Sequence, residues 1–391
     1  MEISKIISKD ILNRLFNIYT SDYGEIIALH EPTFSNLEKE YVISCIETGM
    51  VSSIGKYVDE FEDIIASYTG AKYAVATVNG TTALHLALVV SNLPKGSEVI
   101  VPSLSFVASA NAVIHANLVP HFVNSEPVSL GIDTDRLIEY LDRVATFQDG
   151  VLFNKISGRL ISAILPTHCF GHPCLMNGIL DIANNFNLTV IEDAAEALGS
   201  FFQGKHCGTL GNIGILSFNG NKVLTTGGGG ILLTNDKDVF KEAKHLSTTA
   251  KKSTQFSFEH DQIGYNYGMP NLNAALGIAQ YHSLEKNLKK KRKLAARLHN
   301  SFHDFAFGKI FTQMSGVNSN YWLNALVLKT EFGAYRDIIL KDLNSQNLMA
   351  RPCWAPLHNL PMYTENPKDD LSATEVLASN IINLPSSPAL A

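Results

Sequence analysis

A chain of 391 residues is more than one small core can serve, so two unequal domains with room for a large active site are expected. Apolar residues make up 46% and charged ones 17%, the net charge is −6, and no run of about 18 apolar residues is present. That composition excludes a bilayer-spanning chain and argues against a general nucleic-acid binder.

The first stretch, "MEISKIISKDILNRLFNIYT", sets Lys, Glu, Asp and Arg among its apolar positions and lacks the uninterrupted apolar core of an export signal. Short β-rich runs then alternate with helix-like segments: "YAVATV" (73–78), "EVIV" (98–101), "LVPHFV" (118–123), "ISAILP" (161–166), "LTVI" (188–191), "IGILSF" (213–218) and "GILLT" (230–234). Helical stretches such as "TALHLALVVSNL" and "LMNGILDIANNF" follow most of them, which predicts a mostly parallel sheet buried on both faces. Between Phe218 and Gly230 there is no room for a crossover helix, so that pair is expected to be antiparallel. From about Asp261 long amphipathic helices take over, with a strand in "NYWLNALVL" and a helix in "YRDIILKDLNSQN", the pattern of a smaller α+β domain. Five scattered cysteines, Cys45, Cys169, Cys174, Cys207 and Cys353, fit reduced thiols in a cytosol better than a disulfide framework.

Open α/β sheets bind ligands beyond the carboxyl ends of their strands. The 73–78 strand runs into "NGTTALHLAL", where Asn79 and Gly80 turn and Thr81 and Thr82 open a helix; threonines cap such a helix, and its free N–H groups attract a phosphate. Taken alone this is more often a plain capped helix. The 188–191 strand ends in Glu192 and Asp193, which could bind a metal, a ribose or a ring nitrogen. Lys222 follows the 213–218 strand and falls on the same rim. A P-loop would need G-x-x-x-x-G-K and then a helix, whereas Gly220, Asn221, Lys222 and Val223 break that spacing and a β-run follows. A partly desolvated lysine beside a protonated ring forms a Schiff base with an aldehyde. Pyridoxal phosphate supplies the aldehyde, the phosphate and the ring nitrogen together. Glycines 227–230 would let backbone pass close to it.

From about Ile27 the chain resembles the DegT/StrS family of sugar aminotransferases, on "NGTTALHLAL", "VPSLSFVASANAV", "PTHCFGHPCLM", "VIEDAAEALGS", "LSFNGNKVLTTGGGG", "GYNYGMPNLNAALGIAQ" and "RPCWAPLH" in family order and spacing. The resemblance implies a fold-type I, pyridoxal 5'-phosphate-dependent enzyme with a large cofactor-binding α/β domain (27–260), built on a mostly parallel seven-stranded sheet, and a smaller α+β domain (261–391); residues 1–26, outside the resemblance, are expected to form an N-terminal helical extension packed on the dimer. It implies that Lys222 carries the Schiff base and moves the proton, and that Asp193 holds the ring nitrogen protonated. Gly80, Thr81 and Ser217 would bind the phosphate, with Asn266 reaching in from the second subunit of a homodimer, and Phe106 would stack on the ring. Glu196 stands where many members have Gln or His beside the ring hydroxyl, and Gly268 stands where the family pattern places an arginine. "DGVLFNKISGR", "TGMVSSIGKYVDEFE" and "SNYWLNALVL" look most like the LegC-type branch. That branch implies transfer from L-glutamate to the 4-keto group of a nucleotide-linked 6-deoxy-N-acetylhexosamine, for legionaminic-acid or bacillosamine-type sugars, in the cytoplasm. UDP is favoured slightly over GDP. The alternatives are a 3-keto sugar nucleotide aminotransferase and a non-catalytic nucleotide-sugar binder; a sugar dehydratase of this family would have histidine at 222.

"HCFGHPC" offers His168, Cys169, His172 and Cys174, yet a structural zinc site draws its ligands from two separated pairs, so no metal is expected and His168 is at most a pocket residue. Lys286, Lys289, Lys290, Lys291, Arg292, Lys293 and Arg297 read as the solvated face of a helix rather than a nucleic-acid patch. Tyr321, Trp322, Arg351, Trp354 and His358 are, as a group, candidates for a sugar-nucleotide pocket, although each is also an ordinary core residue type.

Overall fold

A computed structural model describes residues 2–19, 26–253 and 257–391. All seven expected strands are present, at Tyr73–Thr77, Glu98–Pro102, Val119–Val123, Leu160–Ile164, Thr189–Asp193, Ile213–Ser217 and Gly230–Thr234. Named by their first residues, they lie in one sheet in the order Tyr73, Gly230, Ile213, Thr189, Leu160, Glu98, Val119. The pairings from the Ile213 strand across to the Val119 strand are parallel. The Gly230 strand is antiparallel to both its neighbours, because the short link from Phe218 cannot hold a crossover.

Alternation along these strands builds two cores. Val75, Ile215 and Leu232 pack on one face against Leu84, Leu86 and Leu88 of the helix Gly80–Val90. Ala74, Ala76, Leu216 and Ile231 pack on the other against Phe61, Ile65 and Ile278.

Among the described residues the sheet has nine strands rather than seven. A hairpin, Ala145–Gln148 with Val151–Asn154, docks antiparallel on the Leu160 strand. Its two turn residues, Asp149 (φ 52°) and Gly150 (φ 79°), both take the positive φ that a tight two-residue hairpin needs. Asp-Gly is the strongest short hairpin signal, and it was legible in "DGVLFNKISGR".

Towards the C-terminus a four-stranded antiparallel sheet joins Gly308–Ile310, Asn324–Leu328, Ile381–Leu384 and Arg351–Pro352, with the helix Arg336–Ser345 against it. The helix Glu2–Ile18 presents Ile7, Ile11, Leu15 and Ile18 from one face to this unit's core, among Leu326, Ile339 and Leu343 of its own chain. The 31-residue helix Asn271–Ser301 belongs to both units: Ala274 and Ile278 pack in the large core, Leu294 and Leu298 in the small one.

The basic run on that helix is not wholly a solvated face. Lys286, Lys289 and Lys293 are exposed, but Lys291 is fully buried and donates to the carbonyls of Trp322 (3.1 Å) and Ser386 (2.6 Å). Arg292 and Arg297 are half-buried and donate to the carbonyls of Ser319, Gly199, Ile18 and Leu390. These three basic side chains tie the long helix to backbone carbonyls distant in sequence, a use that the charge pattern alone does not reveal.

Candidate active site

A cavity of about 290 Å³ opens at the carboxyl ends of the central strands, lined in part by Gly80, Thr81, Phe106, Asp193, Glu196, Ser217, Lys222, Trp322 and Trp354. One end is the start of the helix Gly80–Val90. The cap is Asn79, not a threonine: its side-chain oxygen accepts from Thr82 N (2.8 Å), and Thr82 Oγ1 accepts in return from Asn79 N (3.3 Å). Gly80 and Thr81 therefore lie in the turn whose N–H groups have no acceptor within the helix, at the positive end of its dipole. A Cβ at Gly80 would sit 2.9 Å from that of Ser217, so the glycine leaves this hydroxyl its place in the cradle. Gly230 performs a similar service. A Cβ there would meet Asn79 O at 2.4 Å, so Gly230 packs on the cap itself, and glycines 227–230 do not line the cavity.

Glu192 and Asp193, adjacent on a strand, point to opposite faces. Glu192 is fully buried and accepts from the backbone N–H groups of Gly208 (2.7 Å), Leu210 (2.6 Å) and Gly211 (2.6 Å), with His168 Nε2 at 3.0 Å. Asp193 faces the cavity; Ser109 Oγ donates to its Oδ2 (2.6 Å) and Ala195 N to its Oδ1 (3.2 Å). Ser109 is a residue that sequence reasoning missed. Its signal was the i, i+4 pair Ser105 and Ser109, whose hydroxyls lie 2.8 Å apart, with Thr167 Oγ1 2.9 Å from Ser105.

Lys222 answers for its isolation in the sequence by being boxed in. Its Nζ lies 3.4 Å from Glu196 Oε1 and 3.7 Å from the centre of the Trp322 ring, and its side chain is 13% exposed. The Trp322 indole N–H donates to Asn221 O (2.7 Å), fastening the aromatic wall to the lysine's own loop. Glu196 also accepts from Phe170 N (2.8 Å). Burial pushes the Glu196 carboxyl up to about 7, against the downward pull of the Lys222 ammonium.

The remaining sequence candidates separate. His168 does not line the cavity; it is fully buried on Glu192 and accepts from Cys174 N at 3.1 Å. His358 is likewise buried, between Ser103 Oγ (2.7 Å) and Glu375 Oε1 (3.1 Å). Tyr321 lines a different groove, with Arg292 and His299. Arg351 stands at a second cavity that shares Asn221, Trp322 and Trp354 with the first. Asn266 is exposed and bridges to Thr248, outside its own chain's cavity. Among the described residues no cluster of three His, Cys, Asp or Glu is arranged to hold a metal, and all five cysteines are free and buried.

An anion cradle at a helix end, a carboxylate held by a hydroxyl and an amide, and a shielded amine form a donor set that fits pyridoxal phosphate. Set at the strand ends of this sheet, they define a pyridoxal-phosphate-dependent enzyme of fold type I. The chain belongs to the DegT/DnrJ/EryC1/StrS aminotransferase family, whose model matches residues 32–391. It is 35% identical over 371 residues to a GDP-perosamine synthase of Caulobacter vibrioides, covering 93% of this chain and 94% of that protein. Among solved structures it is similar to a DegT DnrJ EryC1 StrS aminotransferase from Brucella abortus (TM-score 0.82, 26% identity, 91% of each chain). It also shares its fold with Helicobacter pylori PseC, an aminotransferase involved in the biosynthesis of pseudoaminic acid (TM-score 0.84, 22% identity, 92% of this chain and 93% of that one). The protein is a pyridoxal-phosphate-dependent sugar aminotransferase. Among the described residues no helix is long and apolar enough to cross a membrane.

Proposed function

We propose that the protein is a cytoplasmic homodimeric transaminase that moves the amino group of L-glutamate to the 4-keto group of a nucleotide-linked 4-keto-6-deoxy-N-acetylhexosamine, for surface-sugar biosynthesis. The observation that carries the catalytic part is the convergence of Lys222, Glu196 and Asp193 on one cavity whose far end is a helix N-terminus.

Gly80, Thr81, Ser217, Asp193 and Phe106 line the cavity; in this reading the first three would hold the phosphate, Asp193 would serve the ring nitrogen and Phe106 would pack on the ring. The bound cofactor supplies an electron sink for the negative charge that develops when a C–H bond beside nitrogen is broken. Lys222 would be the amine that anchors the cofactor, and its Nζ, once free, would hold and move the proton at the substrate carbon. Asp193 keeps the ring nitrogen protonated, and the hydrogen bonds from Ser109 and Ala195 hold its carboxylate in place. Trp322 and Trp354 shield the amine and the reacting atoms from water. Asn266 serves the partner's phosphate site, which accords with its exposed place outside its own cavity.

Borohydride treatment of the yellow protein should fix the cofactor to Lys222; a label on another lysine, or none, overturns the assignment. In untreated protein, glutamate alone should convert the cofactor to its amine form and change its absorption. Keto-sugar nucleotides offered one at a time are expected to restore the spectrum, the 4-keto acetamido sugar best. Restoration by a 3-keto sugar only would refute the substrate while sparing the chemistry. The GDP-perosamine synthase relatives favour a second reading, a GDP-linked acceptor, so each sugar is offered on both nucleotides.

A further inference from the structure

The second cavity, about 410 Å³, opens beside the first and shares three wall residues with it, Asn221, Trp322 and Trp354. Its other walls are largely apolar, from Leu29, Leu323, Pro352 and Cys353. Two polar side chains in the wall stand out. His30 is only 9% exposed, and neither of its ring nitrogens has a hydrogen-bond partner or reaches water. Asn383 is 3% exposed, and its Oδ1 is likewise unpartnered while its amide N–H donates weakly to Pro352 O (3.4 Å). Buried polar groups are normally satisfied, so a pair left unsatisfied in the wall of a cavity beside the reacting atoms marks a place where a ligand supplies the partners.

The chemistry of that ligand follows from the donor set. Burial holds the His30 imidazole well below its usual pKa, and the nearby Lys291 and Lys222 push it further the same way, so the ring is neutral: one donor and one acceptor. Asn383 Oδ1 adds a second acceptor. The imidazole's χ2 torsion is soft, so a small turn of the ring presents a nitrogen to an entering group. A neutral group with one N–H, one carbonyl and a small apolar end matches this set, since the apolar walls would receive the end and His30 and Asn383 the amide. A hydroxyl carries its donor and acceptor on one atom, so it would leave one of the two side chains unpartnered and the apolar walls unfilled.

We propose that this cavity is the subsite for a secondary amide on the acceptor sugar, an acetamido substituent, with His30 and Asn383 as its specificity-determining residues. The inference rests on the nucleotide-sugar reading of the first cavity. Its failure is separable from the failure of that reading.

The test uses the holoenzyme and two stable probes, UDP-N-acetylglucosamine and UDP-glucose, which differ in this sugar substituent and carry no ketone to react. Saturation-transfer NMR should show the acetamido methyl among the most strongly saturated protons, and the acetamido probe should bind at least roughly tenfold more tightly than the hydroxyl probe, the scale set by a buried polar group left unpaired. His30→Leu should remove that preference, whereas His30→Gln, which keeps a donor and an acceptor, should retain most of it. Equal affinities for the two probes, or a bound acetamido probe whose methyl is not saturated, would overturn the subsite and leave the nucleotide-sugar reading standing. Binding of neither probe, nor of their GDP counterparts, would overturn both. The comparison of probes on the unaltered enzyme decides the matter even if a His30 variant fails to fold.

Discussion

Glu196 is the residue at which burial and charge compete most openly. Its carboxyl is raised from an ordinary 4.5 to about 7, because desolvation of the anion outweighs the attraction of Lys222 3.4 Å away. For a carboxyl raised by folding, the stabilising contribution is complete below about 4.5 and is lost as pH rises through about 7. A shift of this size corresponds to about 3 kcal/mol of stability lost across that window, to order of magnitude. Glu196→Gln lacks the titrating group, so its Tm relative to the wild type should rise between pH 5 and pH 8. A difference in Tm that stays flat across this range would show that the carboxyl is already ionised at pH 5. Asp193 supports a separate expectation, drawn from its proposed place at the ring nitrogen. Asp193→Asn keeps the shape and the hydrogen bond from Ser109, and should leave cofactor binding in place while lowering the rate at least about 100-fold, the scale of losing a fixed charge aimed at the transition state. Near-normal turnover with amino donor and keto acceptor both present would mean that another group serves the ring.

Elements were more legible in the sequence than the side chains within them. The seven strands and the antiparallel return after Phe218 follow from period, length and the room available in the connections, all local properties. The Asp149–Gly150 hairpin is equally local: the same segment that resembles the branch carries the Asp-Gly turn signal. Opposite faces of one strand separate Glu192 from Asp193, a consequence of period 2 that needed only the sheet's orientation to be known. Lys291 was not legible at all. A cation in a run of cations reads as solvated until the partners of its helix are seen, and here those are the carbonyls of Trp322 and Ser386, distant in sequence. Because Lys291 fastens the long helix to the segment that carries the wall over Lys222, Lys291→Ala should lower stability by about 2–4 kcal/mol, from two unpaired carbonyls and the volume left empty. Chemical denaturation measures it; a loss below about 0.5 kcal/mol, the range of ordinary surface substitutions, would show that water replaces the amine at no cost.

At the scale of the whole molecule, the proposed dimer explains two features that a lone chain leaves unused. Ile43, Ile46, Met50, Val51 and Ile54 are between 45% and 74% exposed within a twelve-residue span, an apolar surface rarely left to water. That span adjoins the segment carrying Asn266, since Ser53, Ile54 and Gly55 share a cleft with Gly268 and Met269. If this face meets its copy across a two-fold axis, each Asn266 lies at the other chain's cavity and each site needs both chains. Lys222→Ala and Asn266→Ala proteins should then each be nearly inactive alone and regain activity when mixed. In a mixed dimer one site receives both changes and the other receives neither. Random pairing makes half the dimers mixed, so an equal mixture should recover roughly a quarter of the wild-type activity. Subunit exchange is checked independently by mass spectrometry of differently tagged chains. Mixed dimers present without recovered activity would place Asn266 in its own chain's site, whereas monomers throughout would leave the exposed apolar span to some other partner.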